Sequence, residues 1–168
     1  MDSAFSSVTF ADPARADANL APLKTRLPAN LLAILPALLA QLPDPDGALN
    51  FLERYTGGRE TAPAPPSALA GCLDFLQRHP VALHHLLAIF SYSRFLSAML
   101  VQQPELITWL HRPLHSGPGH KDTLDHLQTP EDLHEEFARF EATSFGLAPA
   151  VVLARFKRRE YLRITLRD

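Results

Sequence analysis

The sequence predicts an all-α protein, a compact bundle of short helices ending in one long arginine-rich helix. Three observations carry that prediction. Leucine (29) and alanine (23) far outnumber valine and isoleucine together (9); the first pair favours helix, whereas β-branched residues favour strands. Apolar residues recur at three- and four-residue intervals through most of the chain. Prolines and glycines punctuate the ends of those runs, where helices start and stop.

Residues 1–19 are small and polar with little periodicity, and they read as a flexible N-terminal lead-in to a helical domain over residues 20–168. Leu31, Leu35, Leu38, Leu39 and Leu42 form one helical face, with Pro36 expected to kink or split it. Pro43-Asp44-Pro45-Asp46-Gly47 ends that run, and Asp46 is the expected cap of the next helix, which carries Leu49, Leu52 and Tyr55. Gly57-Gly58 is its stop. Residues 57–67, rich in proline from Thr61 to Ser67, are a candidate internal linker.

Beyond it, Ser67 can cap a helix bearing Leu69, Cys72, Leu73 and Leu76. Leu83, Leu86, Leu87 and Phe90 match the helical template, followed by a short face of Phe95, Leu96, Met99 and Leu100. Leu106, Ile107 and Leu110 make a third after Pro104. His111 to His120 reads as a loop by its Pro and Gly content. Thr129-Pro130-Glu131-Asp132 reads as a helix start, with a Thr cap, Pro in the first turn and acids at the positive dipole end. Leu133, Phe137 and Phe140 are its expected buried face. Gly146 and Pro149 separate this helix from the last.

The composition bounds the function. With 168 residues, 46% apolar and 20% charged, the chain can bury a core unaided. Cys72 is its only cysteine, which excludes an internal disulfide and reads as a small core residue. No apolar run is long enough to span a bilayer and no signal-peptide pattern opens the chain, so a cytoplasmic location without membrane contact is the expectation. Residues 155–168 carry six bases against two acids, a net of +4, so the rest of the −2 chain carries −6. Nucleic-acid binding is the weakest reading of that basic segment, because the body is acidic and no binding motif accompanies it.

Recognisable chemistry is sparse. His111 and His115 are separated by Pro113, His84 and His85 are adjacent, and Glu131-x-x-His134 lacks the further carboxylates of a di-iron site, so no metal site is expected. No phosphate loop or nucleophile elbow occurs. Asp44-Pro45-Asp46 is an Asp-x-Asp whose middle proline suits a turn-and-cap role better than a metal pair. In the last helix, Leu153, Phe156 and Ile164 project to one side and Val151, Leu162 and Leu166 to nearly the opposite one, with arginines between. A finished surface helix would carry one apolar stripe, so the two-sided pattern points to packing against another domain. Phe156, Arg158, Arg159, Leu162, Arg163, Leu166 and Arg167 are the candidate interdomain face. The competing reading of the basic run is a solvated face with Glu160 as an internal partner.

The same helix carries a family resemblance. Residues 155–168, Arg-Phe-Lys-Arg-Arg-Glu-Tyr-Leu-Arg-Ile-Thr-Leu-Arg-Asp, resemble the arginine-rich helix of glutamate–ammonia-ligase adenylyltransferases. Those enzymes adenylylate and deadenylylate glutamine synthetase. Ser93-Arg94-Phe95-Leu96 and Gln103-Pro104-Glu105-Leu106-Ile107-Thr108-Trp109-Leu110 resemble stretches of the same family in the same order. So does the region around Asp44 to Leu49. The resemblance implies the N-terminal helical segment of such an enzyme, supporting a nucleotidyltransferase domain that follows it. Full-length members use ATP and magnesium and respond to the PII protein and glutamine. Their catalytic Gly-x-Ser-Asp-x-Asp strand is absent from these 168 residues. No catalytic, cofactor-binding or metal-binding residue is therefore carried over, and the chain alone is expected to be inactive. Glutamine synthetase and PII become partners only through the longer protein. The alternative is a stand-alone helical interaction module with no catalytic role.

Overall fold

The computed structural model describes residues 3–57, 66–111, 124 and 127–167. Among them there is a 3-10 turn (Ser3–Phe5) and nine α-helices, with no strand. The helices are α1 (Pro13–Arg26), α2 (Ala29–Leu39), α3 (Pro45–Tyr55), α4 (Pro66–Arg78), α5 (Pro80–Tyr92), α6 (Arg94–Gln102), α7 (Leu106–Leu110), α8 (Pro130–Ala142) and α9 (Pro149–Arg167). No helix among the described residues is long and apolar enough to cross a membrane. The chain divides into two compact units, Met1–Trp109 and Leu110–Asp168, where the sequence suggested one helical domain from residue 20 with a break at 57–67. Of that linker, residues 58–65 lie outside the described residues, as do residues 112–120 of the expected loop.

The first unit is built on α3 and α5, which pack on each other; α3 also meets α1 and α6, and α5 meets α2, α4 and α6. The reason lies in α5, where Leu83, Leu86, Leu87 and Phe90 are all buried, as the helical period required. Phe90 packs against the rings of Phe51 and Tyr55, each 5.8 Å away between centroids. The Tyr55 hydroxyl donates to the Pro104 carbonyl at 3.0 Å, so this aromatic cluster is both apolar and hydrogen-bond satisfied. Burial pushes the Tyr55 hydroxyl and the Cys72 thiol up from their ordinary values, consistent with Cys72 as a core residue.

Several local expectations change. Residues 3–19 are not a featureless lead-in. Phe5, Val8 and Phe10 are buried, and α1 already starts at Pro13 with Asp12 as its cap. Three apolar side chains over six residues are too short a pattern to give a periodic signal, yet they bury well from a 3-10 turn and the irregular residues after it. Pro36 does not split α2; it is buried within a continuous helix. Phe95 leaves its expected apolar face and is exposed, while Leu96, Met99 and Leu100 are buried.

The second unit holds α8 and α9, which pack on each other. Thr129 caps α8 as expected, and with Asp132 it closes a capping box: the Asp132 N–H donates to Thr129 Oγ1 at 3.2 Å, and the Thr129 N–H to Asp132 Oδ2 at 2.9 Å. Leu133, Phe137 and Phe140 are only half-buried. Phe137 and Phe140 nonetheless face α9, with ring centroids 5.2 and 5.9 Å from Phe156.

Candidate functional sites

Two surfaces stand out, one in each unit. The first is a cleft of about 620 Å³ where α1, α3 and α6 begin and α5 ends. Its architecture comes from aspartates that cap helices. Asp12 accepts from the Arg15 N–H at 3.0 Å, and Asp44 from the Gly47 N–H at 2.8 Å. A Cβ at position 47 would collide with the Asp44 carboxylate, which is why glycine suits that first turn. The Asp44 N–H in turn donates to Ser91 Oγ at 2.9 Å, tying α3 to α5.

Asp46 does something else. The cap of α3 is Asp44, not Asp46 as the sequence suggested, because proline at 45 occupies the first helical position and leaves its predecessor as the cap. The Asp46 carboxylate is thereby free to accept from the Ala11 N–H at 2.8 Å and the Asp12 N–H at 3.2 Å. It pins the chain entering α1 to the start of α3. Asp44 thus takes the turn-and-cap role, while Asp46 ties two chain segments together. Replacing Asp46 with Ala should cost about 1–2 kcal/mol, in keeping with loss of charge-assisted hydrogen bonds at an exposed site. Hydrogen exchange should quicken at Ala11 and Asp12 while the first turn of α3, still capped by Asp44, keeps its protection.

Arg15, Arg54 and Arg94 also line this cleft, one each from α1, α3 and α6. Among the described residues none of their guanidinium groups forms a salt bridge. Arg54 instead lies over the Phe51 ring, 5.1 Å from its centroid. Sequence reasoning missed this grouping, because the three arginines stand about forty residues apart and share no motif.

The second surface is α9. Of its five buried residues, Val152, Phe156, Glu160 and Arg163 follow one helix face at spacings of four, four and three, and Leu162 is buried beside that line. Glu160 and Arg163 pair there at 2.8 Å with side chains only 9% and 5% exposed. Burial pushes the Glu160 carboxyl above its ordinary value; Arg163 and Arg159 pull it down and Glu136 adds to the rise. Glu136 itself receives Arg159 at 3.2 Å and the Gln128 amide at 2.6 Å. Arg159 also stacks over Phe140, 4.7 Å from the ring centroid. Glu160 is therefore the internal partner the sequence allowed for, but buried rather than solvated.

Of the seven residues of the expected interdomain face, Phe156, Leu162 and Arg163 are buried, Leu166 and Arg159 are half-buried, and Arg158 and Arg167 are exposed. Of the apolar residues left outside, Leu153 (49% exposed), Tyr161 (48%) and Ile164 (41%) form a different line, and Val151 (42%) is exposed away from it; Lys157 lies between the three, its Nζ 6.0 Å from the Tyr161 ring. The two apolar sides drawn from the sequence thus divide otherwise. Phe156 goes inside without Leu153 and Ile164, because the charged Glu160–Arg163 pair can share a buried line once its members neutralise each other.

Neither His84–His85, whose rings are 5.9 Å apart, nor any other group of three or more His, Cys, Asp or Glu among the described residues is arranged to hold a metal ion. His115 lies outside the described residues. Comparison of the chain with family models, curated proteins and solved structures finds no match.

Proposed function

We propose that this chain acts as the N-terminal helical segment of a glutamine synthetase adenylyltransferase-like protein, with α9 as the docking face for a nucleotidyltransferase domain C-terminal to it. The supporting observation is the exposed line Leu153, Tyr161 and Ile164 on the helix whose sequence resembles that family. Fully burying one such side chain is worth roughly 1.5–3 kcal/mol, so three along one helix face are a surplus that a partner domain would consume. In this reading ATP and magnesium belong to the partner domain, glutamine synthetase and PII are reached only through the assembled protein, and the location is cytoplasmic.

The test is to titrate the chain against the separately purified adenylyl-removing domain of a family member. A complex that the Leu153→Ser/Ile164→Ser variant weakens at least about tenfold, a loss on the order of 1.4 kcal/mol, is the expected result. No complex, or one indifferent to the two substitutions, defeats the reading. Incubated alone with ATP, magnesium and glutamine synthetase, the chain should transfer no AMP.

A second reading, the stand-alone interaction module, draws support from Leu162, Phe156 and Arg163, which are already buried without any added domain. Failure of the titration, with the chain itself stably folded, would favour it.

A further inference from the structure

The arginine cleft of the first unit has no role in the docking reading, and its chemistry points elsewhere. We infer that it binds a small molecule bearing two or more linked phosphate groups. A volume of about 620 Å³ is in the range of small-molecule sites. Arg15, Arg54 and Arg94 approach from three separate helices, and guanidinium forks match phosphate oxygens in paired hydrogen bonds.

Three aspartates line the same space, yet they do not serve the arginines. Asp12 and Asp44 are spent on the first turns of their own helices, and Asp46 holds the backbone at Ala11 and Asp12. Each carboxylate keeps its negative charge but is held by helix-end N–H groups, and among the described residues none forms a salt bridge with the three arginines, whose guanidinium donors stay open to a ligand. The start of α6 adds to them, since its cap is the neutral Ser93 and its first turn holds no acid.

Linked phosphates fit better than a carboxylate. A planar carboxylate serves one or two forks, whereas a diphosphate presents terminal oxygens in several directions and can meet three at once. The floor of the cleft, Phe51 and Phe90, is apolar and buried, which limits competing water around the charged groups.

The inference is tested by calorimetric titration of the full chain with inorganic pyrophosphate and tripolyphosphate at low salt, where exposed charges are least screened. Orthophosphate, citrate and a short poly-glutamate peptide serve as comparison ligands. Arg15 and Arg94 are exposed, so Arg15→Gln and Arg94→Gln leave the fold intact. Each should weaken pyrophosphate about tenfold to a hundredfold, as expected for loss of a charged hydrogen-bonding partner. Arg94→Lys, which keeps the charge and loses the fork, should recover part of that loss. Arg155→Gln on α9 should change nothing.

Absence of pyrophosphate and tripolyphosphate binding overturns the inference. So does binding that survives both Gln substitutions. Tighter binding of citrate would make the site a polycarboxylate site, and tighter binding of the peptide would make it an acidic-segment groove. Either outcome displaces the phosphate assignment. The docking titration on α9 is independent of all of these results.

Discussion

Arg163→Met should lower the stability of the second unit by about 3–5 kcal/mol near neutral pH, the usual result of stranding one member of a buried ion pair. The loss should shrink as the solution is acidified. Arg163 is the closest cation to Glu160, at 2.8 Å, and it pulls the carboxyl down against the burial that raises it. Without it the folded-state value climbs further above the unfolded one, about 4.3 for an ordinary glutamate. A carboxyl raised in this way binds its proton more tightly folded than unfolded. Its penalty is therefore fully present above the folded value and fades as pH falls through it toward the unfolded value. Arg159 and Glu136 also face Glu160 and act in opposite senses, so they trim the effect without reversing it.

Urea unfolding of wild type and variant at several pH values between about 4.5 and 8 should thus give a stability difference that widens with pH. A difference that stays constant would mean that Glu160 does not carry the loss. The double variant Glu160→Leu/Arg163→Met should recover most of the stability. Removing both charges abolishes the desolvation cost along with the attraction, and apolar replacements of a buried pair are often neutral or better.

This pair also marks where sequence reading reached its limit. The all-α class was legible because leucine period, caps and stops agree at each level. Thr129, Pro130 and Asp132 made a local signal that was sufficient by itself. Phe5, Val8 and Phe10 were not legible, since burial of a turn and the irregular residues after it follows no sustained helical period. Counting only apolar residues around α9 missed its inner face. Half of the line Val152, Phe156, Glu160 and Arg163 is charged, and only the contact between its last two members makes their burial tolerable. The arginine cleft was hidden for a related reason. It is made by helix ends that meet in space, and nothing local to Arg15, Arg54 or Arg94 announces the other two. At Asp44 and Asp46 the role was legible but its assignment was off by one turn position, because a proline at the first helical position sets which aspartate caps.

Leu162→Ala should destabilise the second unit by about 2–5 kcal/mol, whereas Leu153→Ser and Ile164→Ser together should fall within about 0.5 kcal/mol of wild type. The contrast follows from burial on one helix. Leu162 is wholly inaccessible, while Leu153 and Ile164 are 49% and 41% exposed. Truncating Leu162 removes contacts on every side and leaves a cavity whose surroundings relax only in part. Truncating the exposed pair removes apolar surface that already meets water, so little transfer energy is lost, and β-branched Ile164 gives up only a small difference in helix propensity. Thermal or urea unfolding of the three proteins measures this directly. A mild effect of Leu162→Ala would mean that α9 is held loosely, and the outer line could then exchange places with the inner one. A severe effect of the outer pair would mean that Leu153 and Ile164 are already committed within the chain or to a second copy of it, with no surface left for a partner domain. The expected pattern, costly inside and neutral outside, leaves the outer line of α9 as apolar surface whose burial contributes to stability only when something binds it.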